Sequence, residues 1–172
     1  MLTTDQKGAI AESAIVHAAI KVGIGVLKPL TDGHRYDLVF DLDPVLVRVR
    51  VQCKSSALHG DVGVGSLLLL QANRTGQLKR GYSLAKVDAI AAYCSDLDRC
   101  FYIPMERLRG RTTIQLRLQT ALNNQRMGIN WEDDFAFERL RFEFPGAVAQ
   151  LGERQSGTLE VRGSIPLGSM VA

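Results

Sequence analysis

Between Val47 and Lys54 the chain alternates without a break, with Val47, Val49, Val51 and Cys53 on one side and Arg48, Arg50, Gln52 and Lys54 on the other. Side chains of a strand alternate with period two, so the segment reads as a strand with one apolar and one polar face. Asp37–Leu42 is a second strand-like run, and Asp43-Pro44 between the two is turn chemistry. The strands Asp37–Leu42 and Val45–Lys54 therefore form a hairpin. A turn at Pro44-Val45 sets Asp37 opposite Gln52. A turn at Asp43-Pro44 sets it opposite Arg50, with Gln52 its diagonal neighbour. In both registers Asp37, Gln52 and Lys54 project from one face, because cross-strand partners share a side. Only a bulge or a longer loop would separate them.

Around this hairpin the pattern mixes helix and strand. Thr3 with Gln6 three residues on is a capping box, and Ala11, Ala14, Ile15, Ala18, Ala19 and Val22 recur at helical spacing up to Gly23. A short apolar run, Ile24–Leu27, and a polar loop, Thr31–Arg35, lead into the hairpin. Beyond it, Val62–Gln71 reads as a strand. Val87–Tyr93 and Phe101–Pro104 read as a strand pair with Ser95–Arg99 turning between them, and Thr113–Gln119 alternates again. Asn130–Phe144 carries Trp131, Phe135, Phe137, Phe142 and Phe144, with Asp133 as a helix cap, and is expected to close the core. The fold class expected is α/β, a mixed central sheet flanked by helices.

Composition narrows the setting. A chain of 172 residues, 46% hydrophobic and 23% charged, suits one globular domain that needs no covalent staples. Three cysteines, Cys53, Cys94 and Cys100, with no Cys-x-x-Cys pair, argue against a disulfide framework and a structural zinc site. No apolar run is long enough for a membrane span, and Met1–Gly8 lacks the order of a signal peptide, so the cytoplasm is the expected compartment. A net charge of +3 permits a nucleic-acid partner without requiring one.

The chemistry concentrates at the hairpin. An acid, an amide oxygen and an ammonium within roughly 8 Å on one sheet face can hold a hard cation such as Mg²⁺, which keeps several waters and accepts a phosphate oxygen. Lys54 would then orient a water or neutralise charge developing on phosphate. On pattern alone the same residues are also an ordinary solvated strand face. Arg35 and Ser55 flank the centre and are placed to contact a phosphate, Arg35 as a bidentate donor. Lys79-Arg80-Gly81-Tyr82, preceded by Arg74 and Gln77, makes a basic loop suited to a phosphate backbone. Arg107, Arg109, Arg111 and Arg117 cluster with Gln115 and Gln119. Gln115 and Arg117 share a strand face, and these side-chain types pair with adenine and guanine edges in the major groove. His17, His34 and His59 are too scattered for a triad, and no nucleophile elbow or phosphate-binding loop is present.

Residues 1–144 resemble the PD-(D/E)XK nuclease superfamily, in particular the small branch that includes the homing endonuclease of a group I intron in a bacterial tRNA gene. The resemblance is carried by Lys7-Gly8 and Glu12 on the first helix, Arg35-Tyr36-Asp37 opening the second strand, and Gln52-Cys53-Lys54-Ser55 ending the third. It implies a restriction-endonuclease-like core in which Asp37 binds metal, Lys54 is catalytic, and Glu12 reaches the metal from the helix, with Gly8 letting that helix approach the sheet closely. The Cys53 main-chain carbonyl would complete the metal site. Gln52 stands where the family usually has Asp or Glu, a departure that also occurs in the homing branch, and Tyr36 replaces the usual proline. The function implied is Mg²⁺-dependent hydrolysis of phosphodiester bonds in double-stranded DNA, of homing or mobile-element type. One site per chain makes a double-strand break the work of a homodimer or homotetramer. The competing readings are a catalytically decayed scaffold that only binds DNA, and a Holliday-junction or restriction-type nuclease.

The last segment, 145–172, changes character: it has no aromatic residue and carries glycine at 146, 152, 157, 163 and 168. Gly146–Arg154 can be encoded by the acceptor stem and D-arm of a bacterial tRNA gene, and Arg162–Pro166 by a T-arm, at a separation that fits one tRNA. The expectation is that these residues are read-through of a neighbouring tRNA gene and form a disordered tail with no part in the fold or the site.

Overall fold

The computed structural model describes residues 1–42, 48–58, 63–64, 71–73, 76–80, 82–108, 111, 114–119 and 127–140, with the backbone alone described at 63–64, 71–73 and 76–80. The expected turn at Asp43-Pro44, most of Val62–Gln71 and the tail 145–172 lie outside the described residues.

The first helix, α1 (Thr4–Lys21), begins where the capping box places it. Thr3 Oγ1 accepts from the Gln6 N–H at 3.2 Å, and Gln6 Oε1 accepts from the Thr3 N–H at 2.9 Å. Asp5 in the first turn and Lys21 in the last match the helix dipole. The helix stops because Gly23 takes a φ of +89°, which lets its N–H reach the Ile20 carbonyl and the Ile24 N–H reach the Ala19 carbonyl, both at 2.9 Å. Ala11, Ile15, Ala19 and Val22 are the buried stripe.

The main sheet has five strands in the order β1 (Gly25–Leu27), β2 (Leu38–Asp41), β3 (Arg48–Ser56), β7 (Ala89–Cys94) and β8 (Arg99–Pro104). β1, β2 and β3 form an antiparallel meander, β3 and β7 run parallel, and β7 and β8 close as a hairpin. The β7–β8 pairing matches the expected strand pair and its turn. The parallel pair requires a crossover, and it contains a two-stranded ribbon, β5 (Gln71–Asn73) with β6 (Gly76–Arg80). This corrects the reading of Lys79 and Arg80 as a loop: their backbone belongs to β6, with Arg80 paired to Gln71. A second small ribbon pairs β4 (Gly63–Val64) with β9 (Leu116–Arg117).

Both faces of the sheet are covered. On the α1 side, Ile15, Ala19 and Val22 meet Leu38, Phe40, Leu42, Val51, Ala89, Ala91, Tyr102, Phe137 and Leu140. Phe40 and Tyr102 stack there and Phe137 meets both rings edge-on, with ring centroids 5.9–6.4 Å apart. On the other side, Ile90, Ala92, Cys94, Phe101 and Ile103 pack with Met105 and Leu108 of α2 (Met105–Leu108), and with Ile114, Leu116 and Phe135. Each fully buried aliphatic or aromatic side chain contributes about 1.5–3 kcal/mol, which makes these layers the main source of stability. β7 is lined with alanines, and Ala89 and Ala91 meet Ala19 of α1, so small side chains bring helix and sheet together. The expectation that Gly8 serves this purpose is wrong: Gly8 is exposed and a Cβ there would meet nothing within 4 Å.

Residues 130–140 close the core as 3-10 turns at Glu132–Phe135 and Phe137–Arg139. Asp133 lies inside the first turn and caps nothing; Trp131 holds the N-cap position without a side-chain bond. Buried Glu132 instead accepts from Arg99 Nη1 at 2.6 and 2.7 Å, which anchors the segment to β8. No helix among the described residues is long and apolar enough to cross a membrane.

Candidate active site

Leu38 pairs with Val51 and Phe40 with Val49, so of the two registers open to the sequence the strands adopt the one that, carried one residue on, leads Asp37 toward Gln52. Leu38, Phe40 and Val51 point toward α1. The alternate residues Gln52 and Lys54 therefore share the opposite face with their β7 neighbours Ile90 and Ala92. At Asp37 the ladder slips. Its N–H donates to the Val51 carbonyl at 2.9 Å, one residue out of step with the pairs below. The Cys53 N–H is taken by the Asp37 carboxylate, which accepts it on Oδ2 at 2.7 Å. The same oxygen accepts from the Gln52 side-chain amide. Asp37 is thus held by β3 through two donors and a main-chain bond.

Burial dominates the electrostatics of Asp37. It raises the pKa above the ordinary carboxylate value, and the nearby Glu12 charge pushes the same way. The Cys53 N–H and the Lys54 and Lys28 ammoniums oppose the shift without cancelling it. The Cys53 thiol is pushed far above its ordinary range, by burial first and then by the charges of Asp37 and Glu12. Cys53 is therefore a neutral thiol, and what it can offer a cation is its main-chain carbonyl.

Lys54 is half-buried, with Nζ 5.3 Å from the centre of the Tyr82 ring, a cation–π contact that sequence reasoning left out by assigning Tyr82 to a phosphate-binding loop. Glu12 enters from α1 with its side chain 27% exposed, and Lys28, directly after β1, donates to its Oε1. The Lys28 pKa rises as a result, through the hydrogen bond to Glu12 and then its charge. Nothing in the pattern around Lys28 signals this contact.

Arg50, the other cross-strand candidate for Asp37, is committed elsewhere. Its Nε and Nη2 donate to the two Asp88 carboxylate oxygens at 3.0 and 2.7 Å, and its Nη groups donate to the carbonyls of Ala85 and Leu84 at 3.0 and 2.9 Å. The guanidinium holds the Asp88 carboxyl below its ordinary value. This clamp fixes the return of the crossover beside the site.

The remaining sequence candidates are dispersed. Arg35 and Ser55 are both exposed beside the centre. Gln115 is exposed and precedes β9, its carbonyl accepting from Asn130 Nδ2 at 3.5 Å, while Arg117 is half-buried within β9. Arg107 lies on α2 and not on that strand, so the arginine cluster is split between two elements. The side chains of Lys79 and Arg80 lie outside the described residues.

Among the described residues no three His, Cys, Asp or Glu side chains converge as metal ligands. The available donor set is instead two mutually repelling carboxylates, Glu12 and Asp37, the Gln52 amide oxygen and the Cys53 carbonyl. All are hard oxygen donors, and the burial that disfavours the Asp37 charge is the condition a divalent cation relieves, so the set fits a hard divalent cation.

Two comparisons bear on this geometry. The solved structure of a bacterial homing endonuclease, I-Ssp6803I, is similar at 26% sequence identity and a TM-score of 0.59, over 91% of this chain and 100% of that one. No curated protein matches the chain. The sequence profile described as PD-(D/E)XK endonuclease matches residues 2–138, a span that includes Glu12, Asp37, Gln52 and Lys54 and every strand of the main sheet. Fold and profile agree, and the chain belongs to the PD-(D/E)XK endonuclease family.

Proposed function

We propose that the protein is a divalent-cation-dependent endonuclease that cuts double-stranded DNA at specific sites, with Mg²⁺ as its cation and a homing or mobile-element role. The observation that carries this reading is the union, at one end of the β2–β3 hairpin, of a half-buried carboxylate fixed by two donors, an amide and a lysine, with a second carboxylate arriving from α1. Asp37, Glu12 and the Cys53 carbonyl are the residues that would hold the cation, with Gln52 beside them. When bound, the cation supplies electrophilic stabilisation of the scissile phosphate and lowers the pKa of a water. Lys54, its ammonium steered by Tyr82, holds a proton at Nζ within reach of the charge that develops on phosphate. Arg35 and Ser55 are proposed phosphate contacts next to the centre, Lys79 and Arg80 of β6 backbone contacts, and Gln115 and Arg117 base-reading contacts. A double-strand break needs two such sites, so the working unit is a homodimer or homotetramer. The similarity to a homing endonuclease supports the homing reading over a junction-resolving or restriction-type one.

One observation favours the decayed-scaffold reading: the Gln52 amide donates into Asp37 where a second carboxylate would repel it. The two readings separate in one experiment. Purified protein and Lys54→Ala are incubated with Mg²⁺ and supercoiled plasmids carrying randomised or tRNA-derived inserts, and cut ends are sequenced. Discrete ends from the wild type, reduced by orders of magnitude in Lys54→Ala at nearly unchanged DNA affinity, support the enzyme. DNA binding with no cutting by the wild type supports the decayed scaffold.

A further inference from the structure

The carboxylate that α1 contributes to the site is not open. Glu12 Oε1 accepts a hydrogen bond from the Lys28 ammonium across the gap between α1 and the end of β1. The Lys28 side chain is 66% exposed and that of Glu12 27%, so the pair is open to solvent and can part without disturbing the core. Lys28 follows β1 directly, and the β1–β2 pairing, Leu27 with Val39, brings it level with the start of β2, beside Asp37. Its charge acts on Asp37 as well as on Glu12. Formal charges around the site then cancel: Glu12 and Asp37 bring two negatives, Lys28 and Lys54 two positives. A dication gains less from a neutral cluster than from a negative one. To ligate through Glu12 Oε1 it must also displace the ammonium already there.

We propose that Lys28 is a positioning residue for the cation site: a built-in counter-cation that holds Glu12 in the metal-free protein, gives it up when a divalent cation binds, and so sets the metal affinity. The proposal rests on the reading of Glu12 as a metal ligand. Lys28 offsets part of the repulsion between the two carboxylates while the site is empty. Because a partly exposed ion pair is weak, it yields to a dication at modest concentration.

The test titrates Mn²⁺ into the full-length, DNA-free protein and reads the free ion by electron paramagnetic resonance, with thermal melts as a check on folding. The variants are Lys28→Met, Lys28→Gln as a second neutral replacement, Lys28→Arg, Glu12→Gln and the double variant Glu12→Gln/Lys28→Met. Both neutral replacements should bind Mn²⁺ roughly three- to tenfold more tightly than wild type, the loss of one opposing charge and one competing pair. Lys28→Arg should stay near wild type, and Glu12→Gln should bind more weakly. In the Glu12→Gln background the Lys28→Met gain should shrink to below about twofold, because the pair it relieves is already gone. If Glu12→Gln weakens binding but both neutral replacements leave it unchanged or weaker, Lys28 is no competitor and the proposal fails while the ligand reading stands. If the gain persists undiminished without Glu12, Lys28 acts only through its general field, which also overturns it. If Glu12→Gln leaves Mn²⁺ affinity unchanged, or the wild type binds no Mn²⁺, the ligand reading falls and takes the proposal with it.

Discussion

Replacing Gln52 by glutamate converts the donor that satisfies Asp37 into a second carboxylate facing the first. In the wild type the Gln52 amide and the Cys53 N–H share Asp37 Oδ2. A hydrogen bond to a charged acceptor contributes about 1.5–3 kcal/mol net, and that contribution is lost. Two unit charges about 4 Å apart at an effective dielectric constant of about 20 repel by about 4 kcal/mol, but the pair escapes most of this by sharing a proton. The expected cost in metal-free buffer at neutral pH is therefore about 2–4 kcal/mol. At about 2–4 °C per kcal/mol for a chain of this size, Tm should fall by roughly 4–16 °C. Both carboxyls would have folded pKa values above their unfolded ones, so acidification should restore stability as the pair takes up its proton. Saturating Mg²⁺ should restore it at neutral pH, since binding at 100 times Kd adds about 2.7 kcal/mol to the native state. Circular-dichroism melts with EDTA and with Mg²⁺, at neutral pH and near pH 5, give the four numbers required. An unchanged Tm in EDTA would refute the idea that Gln52 holds Asp37. Equal Mg²⁺ stabilisation of wild type and variant would refute the assignment of this face as the cation site.

Two further substitutions probe the same architecture from opposite sides. Gly8→Ala should raise stability by about 0.5–1 kcal/mol in urea unfolding, because Gly8 lies inside α1 with open space around its Cα and a helical glycine costs about that much relative to alanine; a loss of stability would mean that the helix is packed there after all. Asp37→Asn should be more stable than wild type at neutral pH without metal. The raised Asp37 pKa means that its contribution to stability is fully present below the ordinary carboxylate value of 3.8 and is lost as pH rises through the folded value, a loss that asparagine does not suffer. The advantage should vanish on acidification and be accompanied by loss of cleavage, and a variant less stable than wild type at neutral pH would overturn the claim that burial dominates at this carboxylate.

The hairpin was the legible part of the site because its constraints are local. Period-two alternation fixes which of Asp37, Gln52 and Lys54 share a face whatever the turn, and the capping box fixes where α1 begins. The interaction of α1 with the hairpin is not local. Glu12 and Lys28 lie sixteen residues apart on different elements, and their pairing depends on the crossing of helix and edge strand, which no periodicity encodes. Gly8 invited a wrong inference because a glycine in a helix can mean either close packing or no packing at all, and only the alanines of β7 show where the approach occurs. Asp133 has the composition of a cap, yet the chain there makes 3-10 turns governed by the burial of Phe135 and Phe137 and by the Arg99–Glu132 pair. Lys79 and Arg80 read as a loop because alternation is absent from so short a ribbon.

The clamp of Arg50 on Asp88 and on the Leu84 and Ala85 carbonyls joins positions 38 residues apart and closes the crossover at its base. Loop-closure entropy grows only logarithmically, so doubling the length of a flexible connection costs about 0.6 kcal/mol. Chain can therefore be gained or lost in the connections between the crossover's strands at little thermodynamic expense, as long as β4 keeps its partner β9, β5 keeps β6, and β3 and β7 arrive at the same anchor. The scaffold thus separates two kinds of constraint: the hairpin holding Asp37 and Lys54 is bound to its geometry, while the connections of the crossover arm can change in length without moving the chemistry.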